Sequence, residues 1–255
     1  MASVQKFLGA ESLGEGAWRF TVPVELHGAF GGAFGGVVAA CTLIAARSVA
    51  PGRVPNALDC RFVRGLPAGS AVATATVLHS GRSLSTISVD LSDERDRLCT
   101  RSTISLVAPE ALHPIGRPGP QPGDWKPHED ASRWPAIAPI VEAIDSRLVG
   151  NDERGFATAM KIPWDVEAAS SAESASMAAD MAVGPPLGSL TGEGASTPNP
   201  DLSLRFCGQV TSDTIVGVGR LDRVGGGVAA VGVEVWSDGA LVATGVSTAL
   251  MIPMA

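Results

Sequence analysis

Leu58-Asp59-Cys60-Arg61-Phe62 and Leu202-Ser203-Leu204-Arg205-Phe206 are two versions of one strand-like phrase, with Arg61 and Arg205 144 positions apart. The same offset pairs Gly81 with Gly225, Val89 with Val233, Thr100 with Thr244 and Leu106 with Leu250, reading without a gap. Self-similarity of this length means two copies of one supersecondary unit in tandem.

Working outward, each copy has the same order of elements. In the first, residues 17–24 (AWRFTVPV) read as a strand and residues 36–50 (GVVAACTLIAARSVA) as a helix ended by Pro51-Gly52. That helix is apolar all round until Arg47, the pattern of a helix buried on every side. Strands are expected over 58–63, 71–79, 84–91 and 98–107, with residues 71–77 alternating as a half-exposed strand does. In the second copy, residues 138–148 read as an apolar strand, followed by 156–163 and a helix over 168–183 closed by Gly184-Pro185-Pro186. A Gly/Ser/Pro loop is expected over 187–200. Strands follow over 202–207, 214–221, 228–236 and 241–251, with an Asp238-Gly239 turn joining the last two. Seven prolines between Pro109 and Pro135 mark a stiff, extended connection. The domains expected are therefore 1–108 and 136–255, with a linker over 109–135. A buried helix beside a single sheet must be wrapped by that sheet. Two such halves would join their sheets edge to edge as a pseudo-dimer.

The 255 residues are 45% hydrophobic and carry a net charge of −7. No basic run is present, which argues against nucleic-acid or anionic-membrane surfaces. Cys41, Cys60, Cys99 and Cys207 form no CxxC pair and sit in apolar contexts, so reduced core thiols are expected rather than a metal or disulfide site. The amino-terminal residues lack the apolar run of a signal peptide, so a cytoplasmic setting is expected. No GxSxG, HExxH or P-loop motif occurs, and there is no tyrosine.

The sequence resembles the double-hotdog acyl-CoA thioesterases of the type II class. His27-Gly28-Ala29-Phe30-Gly31-Gly32, running through Gly36-Val37-Val38-Ala39-Ala40, is similar to the glycine-rich lead-in to their first central helix. Gly81-Arg82-Ser83 is similar to a turn of their first half. Ala179-Asp180 ahead of Gly184-Pro185-Pro186 is similar to the acidic position of their second helix. Residues 198–206 (PNPDLSLRF) and 239–244 (GALVAT) are similar to two of their later strands. The resemblance implies an α+β fold, a tandem (double) hotdog with each half an antiparallel sheet wrapped around one long central helix. It implies hydrolysis of an acyl-CoA thioester without cofactor or metal, and a homo-oligomer, a dimer of double hotdogs. In the family an aspartate, a threonine or serine, and a glutamine hold the attacking water. Those positions fall on Asp180, Asn199 and Ser247.

The residues themselves add reasons. Met177, Asp180, Met181 and Gly184 share a helix face, so Asp180 would be desolvated and become a stronger base. It also lies in the last helical turn, where the helix dipole disfavours a negative charge. Ser247 lies on a strip of small residues, Ala243, Gly245, Ser247 and Ala249, which leaves space for a helix or a slender acyl–pantetheine chain. Asn199, between two prolines, is placed to hold water or serve a turn. The amides of Gly35 and Gly36 are candidates to stabilise an oxyanion, with His27 nearby. The first helix has no acid, so one working site per chain is expected. A non-catalytic acyl-CoA binder, and a hotdog hydratase or dehydratase, are the competing functions. The second is disfavoured because the second helix has no histidine.

Overall fold

The structure is a computed structural model, and it describes residues 2–113, 115–135, 137–191 and 195–253. The helices are α1 (Val4–Phe7), α2 (Gly35–Ser48), α3 (Pro139–Ala143), α4 (Ser171–Val183) and α5 (Gly188–Thr191). The strands of the first half are β1 (Glu11–Gly14), β2 (Ala17–Val22), β3 (Val54–Phe62), β4 (Gly69–Ser80), β5 (Leu84–Asp93) and β6 (Leu98–Val107). Those of the second are β7 (Ser132–Arg133), β8 (Arg147–Asp152), β9 (Gly155–Lys161), β10 (Ala195–Ser196), β11 (Asp201–Phe206), β12 (Thr214–Gly225), β13 (Val228–Ser237), β14 (Ala240–Leu250) and β15 (Ile252–Pro253).

Thirteen strands form one antiparallel sheet in the order β1-β2-β4-β5-β6-β3-β11-β14-β13-β12-β9-β8-β7, and β10 pairs separately with β15. The two halves meet where β3 pairs with β11, Arg61 opposite Asp201, Asp59 opposite Ser203 and Ala57 opposite Arg205. Asp59 and Ser203 are each other's repeat equivalents, so the pseudo-twofold passes through their pair. The edge-to-edge junction expected from the repeat is thus present.

The repeat is not gapless, however. Arg61 lies opposite Arg101 in the first copy, and Arg205 lies opposite Thr244 in the second. β6 and β14 are therefore related by 143, not 144. Four residues join β5 to β6, whereas two, Asp238 and Gly239, join β13 to β14. Both take positive φ, 46° and 75°, as a tight hairpin turn of the mirror-image class requires. Since a one-residue slip swaps strand faces, the repeat partner of the inward Ser247 is the inward Ile104, one residue on from Thr103, where an offset of 144 would place it.

α2 lies against β2 to β6, α4 against β9 and β11 to β14, and the two helices pack on each other. Every residue of α4 is buried. Its alanines and serines keep it slim, and glycines in β12 let it approach closely. A Cβ at Gly217 would sit 2.3 Å from the Ala178 carbonyl oxygen, and one at Gly219 1.8 Å from that of Ala182. Equivalence of the helices needs an offset of 136 at their first residues and 135 at their last, eight or nine short of the strands. The surplus residues lie between α4 and β11, in the segment that carries Asn199.

Three expectations need correction. Residues 138–146 are not a strand: Pro139 opens the short helix α3, with Ile140 and the capping Ile144 buried one turn apart, and strand begins only at Arg147. The proline-rich segment is more than a connection. Trp125 packs edge-on against Trp236 at 5.7 Å on the outer face of the second half's sheet, and Ser132–Arg133 pairs with β8. Its Pro114, with residues 192–194 of the expected loop, lies outside the described residues. Finally, Cys41, Cys60 and Cys99 are buried free thiols, but Cys207 is exposed.

Candidate active site at the helix crossing

α2 and α4 run antiparallel, so the start of α2 meets the last turn of α4. Two glycines make this crossing possible. A Cβ at Gly36 would stand 2.7 Å from Met177 Cα, and one at Gly35 2.8 Å from both carboxylate oxygens of Asp180. The Asp180 side chain fits into the gap and is buried, 6% exposed. Its Oδ2 accepts the Gly36 N–H at 2.9 Å, and its Oδ1 accepts the Asn199 amide at 2.8 Å. The Gly35 amide is also aimed at this carboxylate.

Opposing effects act on its ionisation. Burial penalises the charged form and is the largest influence, while the donors from Asn199, Gly36 and Gly35 favour it. The first wins, and the carboxyl is pushed up from 3.8 to about 6. The unfavourable end of α4's own dipole is met by the favourable amino-terminal end of α2.

Asp180 and Asn199 are thus brought together. Ser247 is not: its hydroxyl donates to the Asp201 carbonyl at 2.7 Å. The strip around it is closed as well, with Ala243 and Ala249 fully buried and Leu204 and the Ser203 carbonyl crowding Gly245. Gly35 and Gly36 reach the site, but their amides are directed at Asp180 instead of an open oxyanion position. A carboxylate already occupies the dipole's focus. His27 makes no hydrogen bond to this cluster among the described residues. Its backbone donates to Val24 and accepts from Ile140, and its Nε2 is buried without a partner.

The sequence reading missed Glu173 and Asp201. Fully buried Glu173 pairs at 2.5 Å with Arg47 at the opposite end of the helix pair. That end is where the pseudo-twofold would generate a second site. There the helix offset puts Ile44 or Ala45 where α4 has Asp180, and the ion pair fills the space. Asp201 was visible only as the residue before a strand. Among the described residues, no group of three His, Cys, Asp or Glu side chains is arranged to hold a metal ion.

A thirteen-stranded antiparallel sheet with two buried helices packed on each other defines a double hotdog, with one buried carboxylate where the helices meet. Residues 25–107 match the acyl-CoA thioesterase N-terminal domain family. No curated protein matches. Among solved structures, the tesB protein of Mycobacterium avium subs paratuberculosis superposes with a TM-score of 0.81 at 17% identity, covering 98% of each chain. A Novosphingobium aromaticivorans protein assigned as a thioesterase gives 0.80 at 25% identity, over 95% of this chain and 98% of that one. Acyl-CoA thioesterase II TesB2 of Mycobacterium marinum gives 0.79 at 18% identity, over 98% of each. The resemblance to the double-hotdog acyl-CoA thioesterase family therefore holds, by sequence in the first half and by fold across the whole chain.

Proposed function

We propose that this chain hydrolyses an acyl-CoA thioester, with Asp180 as the general base that activates water. The observation that carries this reading is the buried Asp180 carboxylate, held by donors from both halves and poised near pH 6. A base is most useful when its pKa lies just below the working pH, since it is then ionised yet strongly basic. Three protein donors act on the carboxylate, and its two oxygens together still keep a lone pair for a water proton. We infer that residues 1–108 and 136–255 are the two hotdog units, each sheet curved around its own helix. The first lends the α2 amino terminus and the second lends Asp180 and Asn199. In this reading the Gly35 and Gly36 amides hold the base in place.

The test is release of free thiol from a panel of acyl-CoAs. Asp180→Asn should lower kcat by at least about 100-fold, the scale of general-base catalysis. Unchanged turnover in that variant overturns the mechanism. A second reading, an acyl-CoA binder without turnover, is favoured by one observation: Ser247 is committed to the Asp201 carbonyl, leaving Asn199 alone beside Asp180. Tight acyl-CoA binding by calorimetry with no thiol released would establish it.

A further inference from the structure

Asn199 supplies a neutral side-chain donor to Asp180, and the residues on both sides of it are pinned from several directions. The Phe62 N–H donates to the Pro200 carbonyl at 2.8 Å, and the Leu250 N–H to the Pro198 carbonyl at 3.0 Å. Asp201 is 8% exposed. Its backbone carbonyl accepts the Ser247 hydroxyl at 2.7 Å, its Oδ1 accepts the Thr248 N–H at 2.7 Å, and its Oδ2 accepts from the Arg61 guanidinium. Arg61 and Asp201 face each other directly in the β3–β11 ladder. The chain between Asp201 and Asn199 is a single proline with a fixed φ, so it transmits position stiffly.

We propose that Asp201, clamped by Arg61 of the first half and by Ser247 and Thr248 of β14, is a positioning residue that sets the Asn199 amide against Asp180. This deepens the hydrolase reading and rests on it for its link to catalysis.

The repeat separates this role from simple stapling of the halves. The arginine occurs in both copies, as Arg61 and Arg205. The acid and its hydroxyl partner occur in one: Ala57 stands at the equivalent of Asp201, and Ile104 at that of Ser247. The clamp is thus present only in the copy that carries the working carboxylate. As a staple the ion pair would add little, because the Arg61 side chain is 68% exposed. Other charges near Asp180 are few. Buried Cys60 is flanked by Asp180, Asp201 and Arg61, and its thiol is pushed up to about 12, chiefly by burial, so it stays neutral. The Arg47–Glu173 pair lies at the far end of the helices.

The experiment is a 13C NMR titration of the Asp180 carboxyl, with thiol release followed across pH in parallel. Asp201→Ala, Asp201→Asn, Asn199→Ala and the double variant Asn199→Ala/Asp201→Ala are compared with the parent chain. Removing the nearby negative charge of Asp201 alone would move the Asp180 midpoint down. Losing the Asn199 donor moves it up. The proposal expects Asp201→Ala to move it up by the same amount as Asn199→Ala, with no further shift in the double variant. It also expects kcat at pH 6 to fall by about 10-fold while KM holds. Asp201→Asn, which keeps an acceptor for Thr248, should restore most of the effect. A downward shift, no shift, or additive shifts in the double variant overturn it. Should Asp201→Ala not fold, Arg61→Gln must give a smaller upward shift, and its absence overturns the proposal. Upward shifts in a chain that releases no thiol support the clamp and refute the hydrolase reading, so the two can fail separately.

Discussion

Asp180 Oδ2 lies 2.9 Å from the backbone nitrogen of Gly36, in the other half of the chain. This contact makes the carboxylate shared property of the two repeats. α4 carries the acid in its last turn, where its own dipole opposes the charge. α2 compensates with free amides at its first turn. Neither half alone offers both. Duplication followed by divergence therefore leaves one such carboxylate contact between the helices, because the reciprocal position is apolar in α2 and its space is taken by Arg47 and Glu173.

The Asp180 carboxyl weakens the fold that it serves. Its folded value of about 6 lies above its unfolded value of 3.8, so between those limits the native state holds more protons than the unfolded state. Stability from this group is full below about pH 4 and is lost as pH rises through 6. About two pKa units correspond to ~3 kcal/mol as an upper figure. Asp180→Asn, which can still accept from Gly36 and donate to a flipped Asn199 amide, should thus be more stable than the parent at pH 8. The gain should vanish by pH 4. Thermal unfolding across pH measures this, and a variant less stable at pH 8 would show that the carboxylate is not desolvated as described.

Gly36→Ala tests the crossing itself. The new methyl group meets Met177 Cα at 2.7 Å and the Ser176 carbonyl at 3.1 Å, both backbone atoms that cannot swing aside. The helices must separate by several tenths of an ångström, at a cost of about 1–3 kcal/mol typical of overpacking. Separation also lengthens the hydrogen bond to Asp180, so the acid limb of the pH–rate profile should move upward. Denaturant unfolding and the pH–rate profile read the two effects. Parental stability would mean that α2 and α4 do not approach this closely.

Much of this was legible in the sequence, for a physical reason. The repeat and the period-two strands record short-range patterning, and β6 runs over residues 98–107 as read. Asp180 stood out because an acid at a helix carboxyl end, among methionines, contradicts local preference. What was hidden depends on non-local partners. Glu173 looks like a routine first-turn acid until Arg47, 126 residues away, is placed beside it. The one-residue slip at β14 is invisible while alanines, glycines and threonines align equally well in either register. It changes which face each residue takes, and with it the meaning of Ser247. Trp125 gave no local signal either: its partner Trp236 takes the outer face by the ordinary alternation of β13, and Trp125 reaches that face from more than a hundred residues away. α3 was mistaken for a strand because a five-residue apolar helix is too short to show its period.

Ser247→Ala separates a residue that holds water from one that holds backbone. With its hydroxyl on the Asp201 carbonyl, removal should cost about 1 kcal/mol in stability, the usual net value of such a bond. kcat should fall less than in Asn199→Ala, because the Arg61 and Thr248 contacts to Asp201 remain. Denaturant unfolding and thiol release measure both. A kcat loss as large as that of Asp180→Asn would return Ser247 to the reacting centre.

The Arg47–Glu173 pair makes the last prediction. Glu173 is fully buried, and burial raises its carboxyl above the usual range, with Arg47 acting against that shift. Arg47 donates to Oε1 at 2.5 Å and also to the Ala169 carbonyl, while Oε2 has no partner among the described residues. An ion pair so placed adds little over an apolar pair of equal volume, yet either charge alone is costly. Arg47→Met should therefore destabilise the chain by about 3–5 kcal/mol at pH 7. The defect should shrink as pH falls and Glu173 takes up a proton, because the native state then gains protons that the unfolded state does not hold. Arg47→Met/Glu173→Leu should recover most of the loss at pH 7, since no unpaired charge remains. Denaturant unfolding of the three chains at pH 7 and pH 5 decides the matter. If the double variant is as unstable as the single one, shape at this end of the helix pair matters more than charge. The ion pair would then be a packing element, not a neutralised remnant of the second site.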